Sequence, residues 1–115
     1  MSDAMILGGV NHITDLDAAD DFQKKHTPYV QVEQVDGATR ITVRVGHYVA
    51  HPNQPDHYIQ WIELQANGAT LVRFDLSPVA VNPDVSAVLV LDPGTVVRAV
   101  EFCNLHGLWA AEVTV

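Results

Sequence analysis

Short alternating runs joined by two-residue turns constrain the fold of this chain most. Residues 29–35 and 39–45 alternate between apolar and polar positions, and Asp36-Gly37 lies between them. An Asp-Gly pair between two alternating runs is a strong signal for a β-hairpin. Asn67-Gly68 gives the same signal between residues 58–65 and 70–76.

Three further strands are predicted over residues 85–91, 95–102 and 110–115, with residues 104–109 as a loop. Residues 15–25 predict at most one or two helical turns. About seven short strands with turns at this spacing indicate an all-β sandwich.

Length and charge limit the function classes. The chain has 115 residues and a formal charge of −8, which predicts one domain and argues against nucleic acid or an anionic membrane as partner. No apolar run is long enough for a membrane helix, and residues 1–10 do not resemble a secretory signal, so a cytoplasmic location is expected. The single cysteine, Cys103, excludes an internal disulfide and a four-cysteine metal centre.

Candidate metal ligands stand at predicted loops and strand ends. Cys103 and His106 form a Cys-x-x-His pair, His51 and His57 bracket a loop with two prolines, and His26 precedes the first predicted strand. On spacing alone, each of these groups is only a weak indication of a metal site. An inert buried thiol and solvated surface histidines remain open alternatives. For the other two histidines, His12 and His47, a surface or hydrogen-bonded position is favoured.

Three ordered motifs make the sequence more specific. They are K-H-T-P at residues 25–28, H-P-N-x-x-x-H-Y-I-x-W-I-E-L at 51–64, and C-N-L-H-G-L-W at 103–109. Together they resemble the superoxide reductases of the neelaredoxin and desulfoferrodoxin family. The resemblance implies an immunoglobulin-like β-sandwich over residues 25–115, preceded by an N-terminal segment of residues 1–24. It also implies the one-iron form, because a second, four-cysteine centre is excluded.

The resemblance further implies a site and an activity. One mononuclear iron would have a sixth position open and would reduce superoxide to hydrogen peroxide by one electron. Backbone N–H groups of the turn after Cys103 would hydrogen-bond its sulfur and tune the reduction potential of the iron. Lys25 would attract the anion, and an external donor such as a rubredoxin would return the iron to the ferrous state. A homo-oligomer is common in the family. The implied ligands are His26, His51 and His57 through Nε2, His106 through Nδ1, and Cys103.

One position departs from the family pattern. Many members carry a glutamate directly before the lysine, where it binds the oxidised iron, and here that position is Lys24. We expect superoxide reduction to survive this change. The oxidised iron would hold water, hydroxide or nothing at this position, unless Asp20, Asp21 or Glu33 substitutes for the glutamate. Two alternatives remain: a blue-copper-like electron-transfer protein, and a non-catalytic sandwich domain with a vestigial site. The first would need a weak axial methionine, and the chain has methionine only at Met1 and Met5.

Overall fold

The protein, described by a computed structural model over residues 9–115, folds into two stacked β-sheets. One short α-helix and one 3₁₀-helix precede most of the strands. In chain order the elements are β1 (Val10–His12), the 3₁₀-helix (Leu16–Ala18), α1 (Asp21–His26), β2 (Tyr29–Val35), β3 (Ala38–Arg44), β4 (Ile59–Ala66), β5 (Ala69–Asp75), β6 (Asp84–Leu89), β7 (Val96–Cys103) and β8 (Gly107–Thr114).

The larger sheet has the strand order β1-β8-β7-β4-β5, and the smaller one has the order β2-β3-β6. Every pairing is antiparallel except that of β1 with β8. The predicted all-β sandwich is confirmed, and the seven predicted strands correspond to β2–β8. The strand β1 was not predicted, because three residues are too few to show an alternating pattern.

The core lies between the two sheets. Alternate residues of β3, β4 and β7 point inward, so each strand has one buried apolar face. Ile41 and Val43 from the smaller sheet meet residues of the larger sheet in one cluster. The cluster's buried members are Ile41, Val43, Val45, Ile59, Ile62, Leu64, Val97, Ala99 and Cys103. The cysteine therefore sits at the edge of a dry, packed interior.

The two predicted hairpins form as their turn residues require. Asp36 and Gly37 have φ of +48° and +79°, and Asn67 and Gly68 have φ of +53° and +77°. Positive φ at both central residues matches the twist of the strands they join.

One sequence-based boundary is wrong. The predicted loop over residues 104–109 ends early, because β8 begins at Gly107 and pairs with β7 from Cys103 onward. Only a tight turn therefore separates the two strands. Within residues 9–115, no helix has the length and apolar character needed to cross a membrane.

Candidate metal centre

The five predicted ligands come from three segments that the fold brings to one end of the sandwich. His26 is the last residue of α1, and Cys103 is the last residue of β7. His106 lies in the turn between β7 and β8, while His51 and His57 lie in the long connection between β3 and β4.

The four imidazoles form a closed ring. Neighbouring ring centroids are 4.8 Å apart for His26 and His51, 5.0 Å for His51 and His57, 5.2 Å for His57 and His106, and 5.0 Å for His106 and His26. Each ring stands at 72–81° to its neighbours. Four histidines that meet edge to face in this way surround one point.

Cys103 faces the same point. Its Sγ lies 3.5 Å from His51 Nε2 and 3.8 Å from His106 Nδ1. One donor atom from each of His26, His57, Cys103 and His106 falls within 4.8 Å of the others. His51 is not in this group, and its Nε2 meets the site through the 3.5 Å contact with Sγ. Metal–imidazole bonds are about 2.1 Å long, so donors on opposite sides of an ion stand about 4 Å apart. The observed spacing is therefore of the size that one ion needs.

Two imidazoles are oriented by bonds to the backbone. Nδ1 of His26 lies 2.7 Å from the carbonyl oxygen of Phe22, and Nδ1 of His51 lies 2.7 Å from that of Pro52. Since each Nδ1 must donate to its carbonyl, each Nε2 carries a free lone pair. Such bonds are the usual way in which proteins fix a ligating histidine.

Burial keeps His26, His51 and His106 neutral. It lowers the pKa of both His26 and His51 to about 4, against the opposing effect of their backbone hydrogen bonds. Burial also lowers the pKa of His106, with a further contribution from the charge of His57. Neutral imidazole is the form that binds a metal, so these three imidazoles are already in their ligating state near neutral pH.

The thiol of Cys103 is fully buried. Burial raises its pKa, hydrogen bonds from the backbone N–H groups of Leu105 and His106 oppose that effect, and the charge of Glu101 adds to it. A buried thiol of raised pKa is a poor nucleophile, but a bound cation would displace its proton. The turn after Cys103 therefore supplies two donors for the resulting thiolate.

The connection that carries His51 and His57 depends on a glycine. Gly46 has φ of +90°, and a Cβ at this position would lie 3.0 Å from the backbone nitrogen of His51. A larger residue would strain the turn and push His51 away. Sequence reasoning did not single out this position, although a glycine at the end of an alternating run was a usable signal.

The helix α1 presents Lys25 next to the ring. Burial is the main cause of the lowered pKa of His26, His51 and His106, and the positive charge of Lys25 adds to it at all three. Its ammonium therefore acts on the site despite the overall charge of −8.

Two of the three carboxylates considered as substitutes for a glutamate at position 24 have other partners. Asp20 caps α1 by accepting a hydrogen bond from the Gln23 backbone N–H at 2.8 Å. Glu33 lies on β2 and pairs with Arg40 at 3.4 Å. Asp21 is exposed in the first turn of α1.

Trp109 supports the ring from β8, and spacing arguments did not reveal it. Its indole stacks on His26 with centroids 4.9 Å apart and an interplanar angle of 19°. Its Nε1 also donates to the carbonyl oxygen of His106 at 3.0 Å. One side chain thus contacts the imidazole of His26 and the backbone of His106.

Glu101 is the least expected residue near the site. Its carboxyl is fully buried, neither oxygen has a hydrogen-bond partner among residues 9–115, and burial raises its pKa well above the usual value. It lies two positions before Cys103 on β7, so alternation places it on the same face of the strand as the buried cysteine.

The remaining histidines stay outside the ring. His12 is exposed at the end of β1, and His47 is exposed and stacked on Tyr29 with centroids 3.8 Å apart. This placement matches the role expected for both.

The residues present fit a metal. Nε2 of His26 and Nε2 of His57 are buried without a hydrogen-bond partner in the described part of the chain. Burying an unpaired polar atom is costly unless something compensates it, and a cation would do so for both at once. Fold and donor set together define a β-sandwich metalloprotein with a histidine–cysteine centre.

Comparison with known proteins places the chain within that class. The desulfoferrodoxin family profile matches residues 18–112, and the chain belongs to this family. It is 43% identical over 93 residues to a desulfoferrodoxin from Syntrophotalea carbinolica, covering 81% of this chain and 66% of that protein. It is 34% identical over 108 residues to a superoxide reductase from Thermococcus kodakarensis, covering 79% of this chain and 87% of the relative.

A solved structure has the same fold. The superoxide reductase from Nanoarchaeum equitans superposes with a TM-score of 0.78 at 25% identity, over 93% of this chain and all of the other. The family resemblance noted from the three sequence motifs is confirmed.

Proposed function

We propose that this protein is a superoxide reductase that works at a single iron ion. Its activity is the one-electron reduction of superoxide to hydrogen peroxide. The residues that would hold the ion are His26, His51 and His57 through Nε2, His106 through Nδ1, and Cys103 through Sγ.

The observation that carries the proposal is the closed ring of four imidazoles, with the Cys103 sulfur in contact with two of them. The ring leaves free the nitrogens that the ligand assignment needs, since Nδ1 of His26 and of His51 is engaged by a backbone carbonyl. Five donors exceed the four of structural zinc, and imidazole with thiolate suits iron. When bound there, iron supplies a single electron and a sixth position open to a small oxygen anion.

The chain's own residues prepare this chemistry. Lys25 gives the entrance a local positive charge that attracts superoxide against the net charge of −8. The N–H groups of Leu105 and His106 hold the sulfur and moderate how much electron density it releases. Burial of Cys103 keeps water from the thiolate.

No carboxylate is available from position 24 to close the sixth position. Lys24 occupies that place, Asp20 and Glu33 have partners of their own, and Asp21 is exposed in the first turn of α1. We therefore infer that solvent, rather than one of these side chains, would occupy the position after oxidation.

The reducing electron comes from an external protein such as a rubredoxin. The chain has one cysteine, so it cannot bind a second centre of the four-cysteine type.

The test is anaerobic mixing of the ferrous protein with superoxide, following visible absorption and peroxide yield. A reductase forms one peroxide per superoxide and gains a sulfur-to-iron absorption band. Cys103→Ser should lose that band. Copper in place of iron, half the peroxide yield, or a rate no greater than that of free ferrous ion would contradict the proposal.

A further inference from the structure

His57 differs from His26 and His51 in how its imidazole is held. His26 and His51 each anchor Nδ1 on a backbone carbonyl 2.7 Å away. The His57 imidazole makes no hydrogen bond to any residue in 9–115, and its Nε2 is buried without a partner. Apart from its edge-to-face contacts with His51 and His106, its position therefore depends on the backbone that carries it.

That backbone is fixed from two sides. Within its own loop, His57 exchanges two hydrogen bonds with Gln54, at 2.9 Å and 3.1 Å. These bonds close the loop but do not attach it to the rest of the site.

The attachment is made by Asn104, which directly follows Cys103. Its Oδ1 accepts a hydrogen bond from the backbone N–H of Tyr58 at 2.9 Å, and its Nδ2 donates to the carbonyl oxygen of Asp56 at 2.9 Å. The backbone N–H of Asn104 also donates to the carbonyl oxygen of Tyr58 at 3.2 Å.

These partners bracket His57 on both sides. The orientation of the amide is unambiguous, because a backbone N–H only donates and a carbonyl only accepts. A planar amide is the side chain of this size that offers both groups side by side.

We infer that Asn104 is a positioning residue that sets the place of His57 relative to Cys103. The inference rests on the proposed iron site. Asn104 is adjacent to Cys103 in the chain and forms hydrogen bonds with the residues before and after His57. It therefore fixes the distance between the two ligands. Asn104 thereby fixes the position of His57, as the hydrogen bond from Nδ1 to a backbone carbonyl fixes the imidazoles of His26 and His51. Partners of this kind change metal affinity by about 10- to 100-fold.

Three single variants separate positioning from a general loss of stability. Asn104→Ala removes both amide bonds. Asn104→Asp keeps the acceptor for Tyr58 and loses the donor for Asp56. The matched control is Asn53→Ala, because Asn53 lies in the same loop and its side-chain amide also forms two hydrogen bonds with backbone groups. It accepts one from the N–H of Val79 at 2.6 Å and donates one to the carbonyl oxygen of Val81 at 3.2 Å.

The first measurement uses the metal-free full chain and the imidazole nitrogen signals in its NMR spectrum. Asn104→Ala should shift or broaden the His57 signals while those of His26 stay in place, and Asn104→Asp should have a smaller effect. Asn53→Ala should leave the His57 signals unchanged. If Asn104→Ala left the His57 signals as they are in the wild type, the inference would be overturned whatever metal the protein binds.

The second measurement is the affinity for Co²⁺, determined by competition with a chelator. Asn104→Ala should weaken binding by about 10- to 100-fold. In a protein that already carries His57→Ala, the Asn104→Ala change should lower the Co²⁺ affinity little further, because the histidine that Asn104 positions is then absent. Equal losses in both backgrounds would overturn the inference. Failure of the wild type to bind Co²⁺ through Cys103 would instead refute the proposed metal site.

Discussion

Sγ of Cys103 lies 3.5 Å from Nε2 of His51, although 52 positions separate the two residues. Cys103 ends a strand of the larger sheet, and His51 lies in the connection that leaves the smaller one. The contact therefore joins the two layers of the sandwich at one end. A metal bound by both residues would cross-link the layers, so binding should stabilise the fold as well as create the active centre.

His51 and His47 provide a matched pair of histidines. His51→Ala should lower iron affinity by at least about 10-fold, because it removes one of five donors. His47→Ala should leave affinity unchanged, since His47 is exposed and stacked on Tyr29. Metal content after dialysis against a weak chelator measures both. A loss of iron in His47→Ala alone would show that the wrong histidine had been assigned.

Lys25 and Lys24 differ in position but not in charge. Lys25→Met should slow the reaction of the ferrous protein with superoxide by roughly 10-fold or more, because electrostatic attraction of this kind contributes about 10- to 1,000-fold. The ionic-strength dependence of the rate should weaken at the same time. Lys24→Met makes the same change in net charge and should have the smaller effect. Stopped-flow mixing at two salt concentrations measures both, and equal effects would favour a net-charge explanation.

The metal-free protein should lose stability in acid through His26. Burial lowers its pKa to about 4 from an ordinary value of 6.5, so between these values the unfolded chain holds a proton that the folded state lacks. Neutral His26 contributes fully to the free energy of unfolding above pH 6.5, and this contribution is lost as the pH falls toward 4. One pKa unit corresponds to about 1.4 kcal/mol, which predicts a loss of about 2 kcal/mol between pH 7 and pH 5.

The measurement is urea unfolding of the metal-free protein at these two pH values. His26→Asn should reduce the loss relative to the wild type, and the exposed His12 offers His12→Asn as control. The comparison must be between variants, because the raised pKa of Glu101 acts in the opposite direction. The assignment would be refuted if His26→Asn and the wild type lost stability equally.

Val79 carries backbone strain that a substitution should relieve. It is a β-branched residue with φ of +66°, and its side chain is 59% exposed. The left-handed conformation costs such a residue about 1–2 kcal/mol, and asparagine adopts it more readily. Val79→Asn should therefore raise the free energy of unfolding by about 1 kcal/mol.

Val81→Asn is the control for this prediction. Val81 is in the same loop and exposed, but its φ is not positive. Its replacement should change stability by less than about 0.5 kcal/mol. Thermal unfolding of the two variants provides the comparison. A lower midpoint for Val79→Asn would mean that side-chain contacts outweigh the strain.

Local pattern accounted for most of the fold. Alternation located β2–β8 to within a few residues, and both two-residue turns have the positive φ values that their sequences require. The errors fall where the pattern is too short or too ambiguous. β1 has three residues, and Gly107-Leu-Trp reads as a loop until β7 is available to pair with it.

The division of the chain at residue 25 stays a prediction. In the structure α1 continues across this position, and β1 is part of the larger sheet. The iron ligands and the role of Lys25 also remain predictions, supported by the ring of imidazoles and open to the tests above.

The sequence by itself determined the secondary structure, the family and the candidate ligands. Alternation and turn chemistry are short-range properties, and the motifs and their order are visible directly in the chain. Tertiary structure alone decided which atoms meet. Sequence spacing does not predict that Nε2 of His51 faces Cys103, that Asn104 holds both neighbours of His57, or that Glu101 is buried without a partner. These relationships depend on the stacking of two sheets and on the register of β7 against β4, which hold residues far apart in the chain in contact.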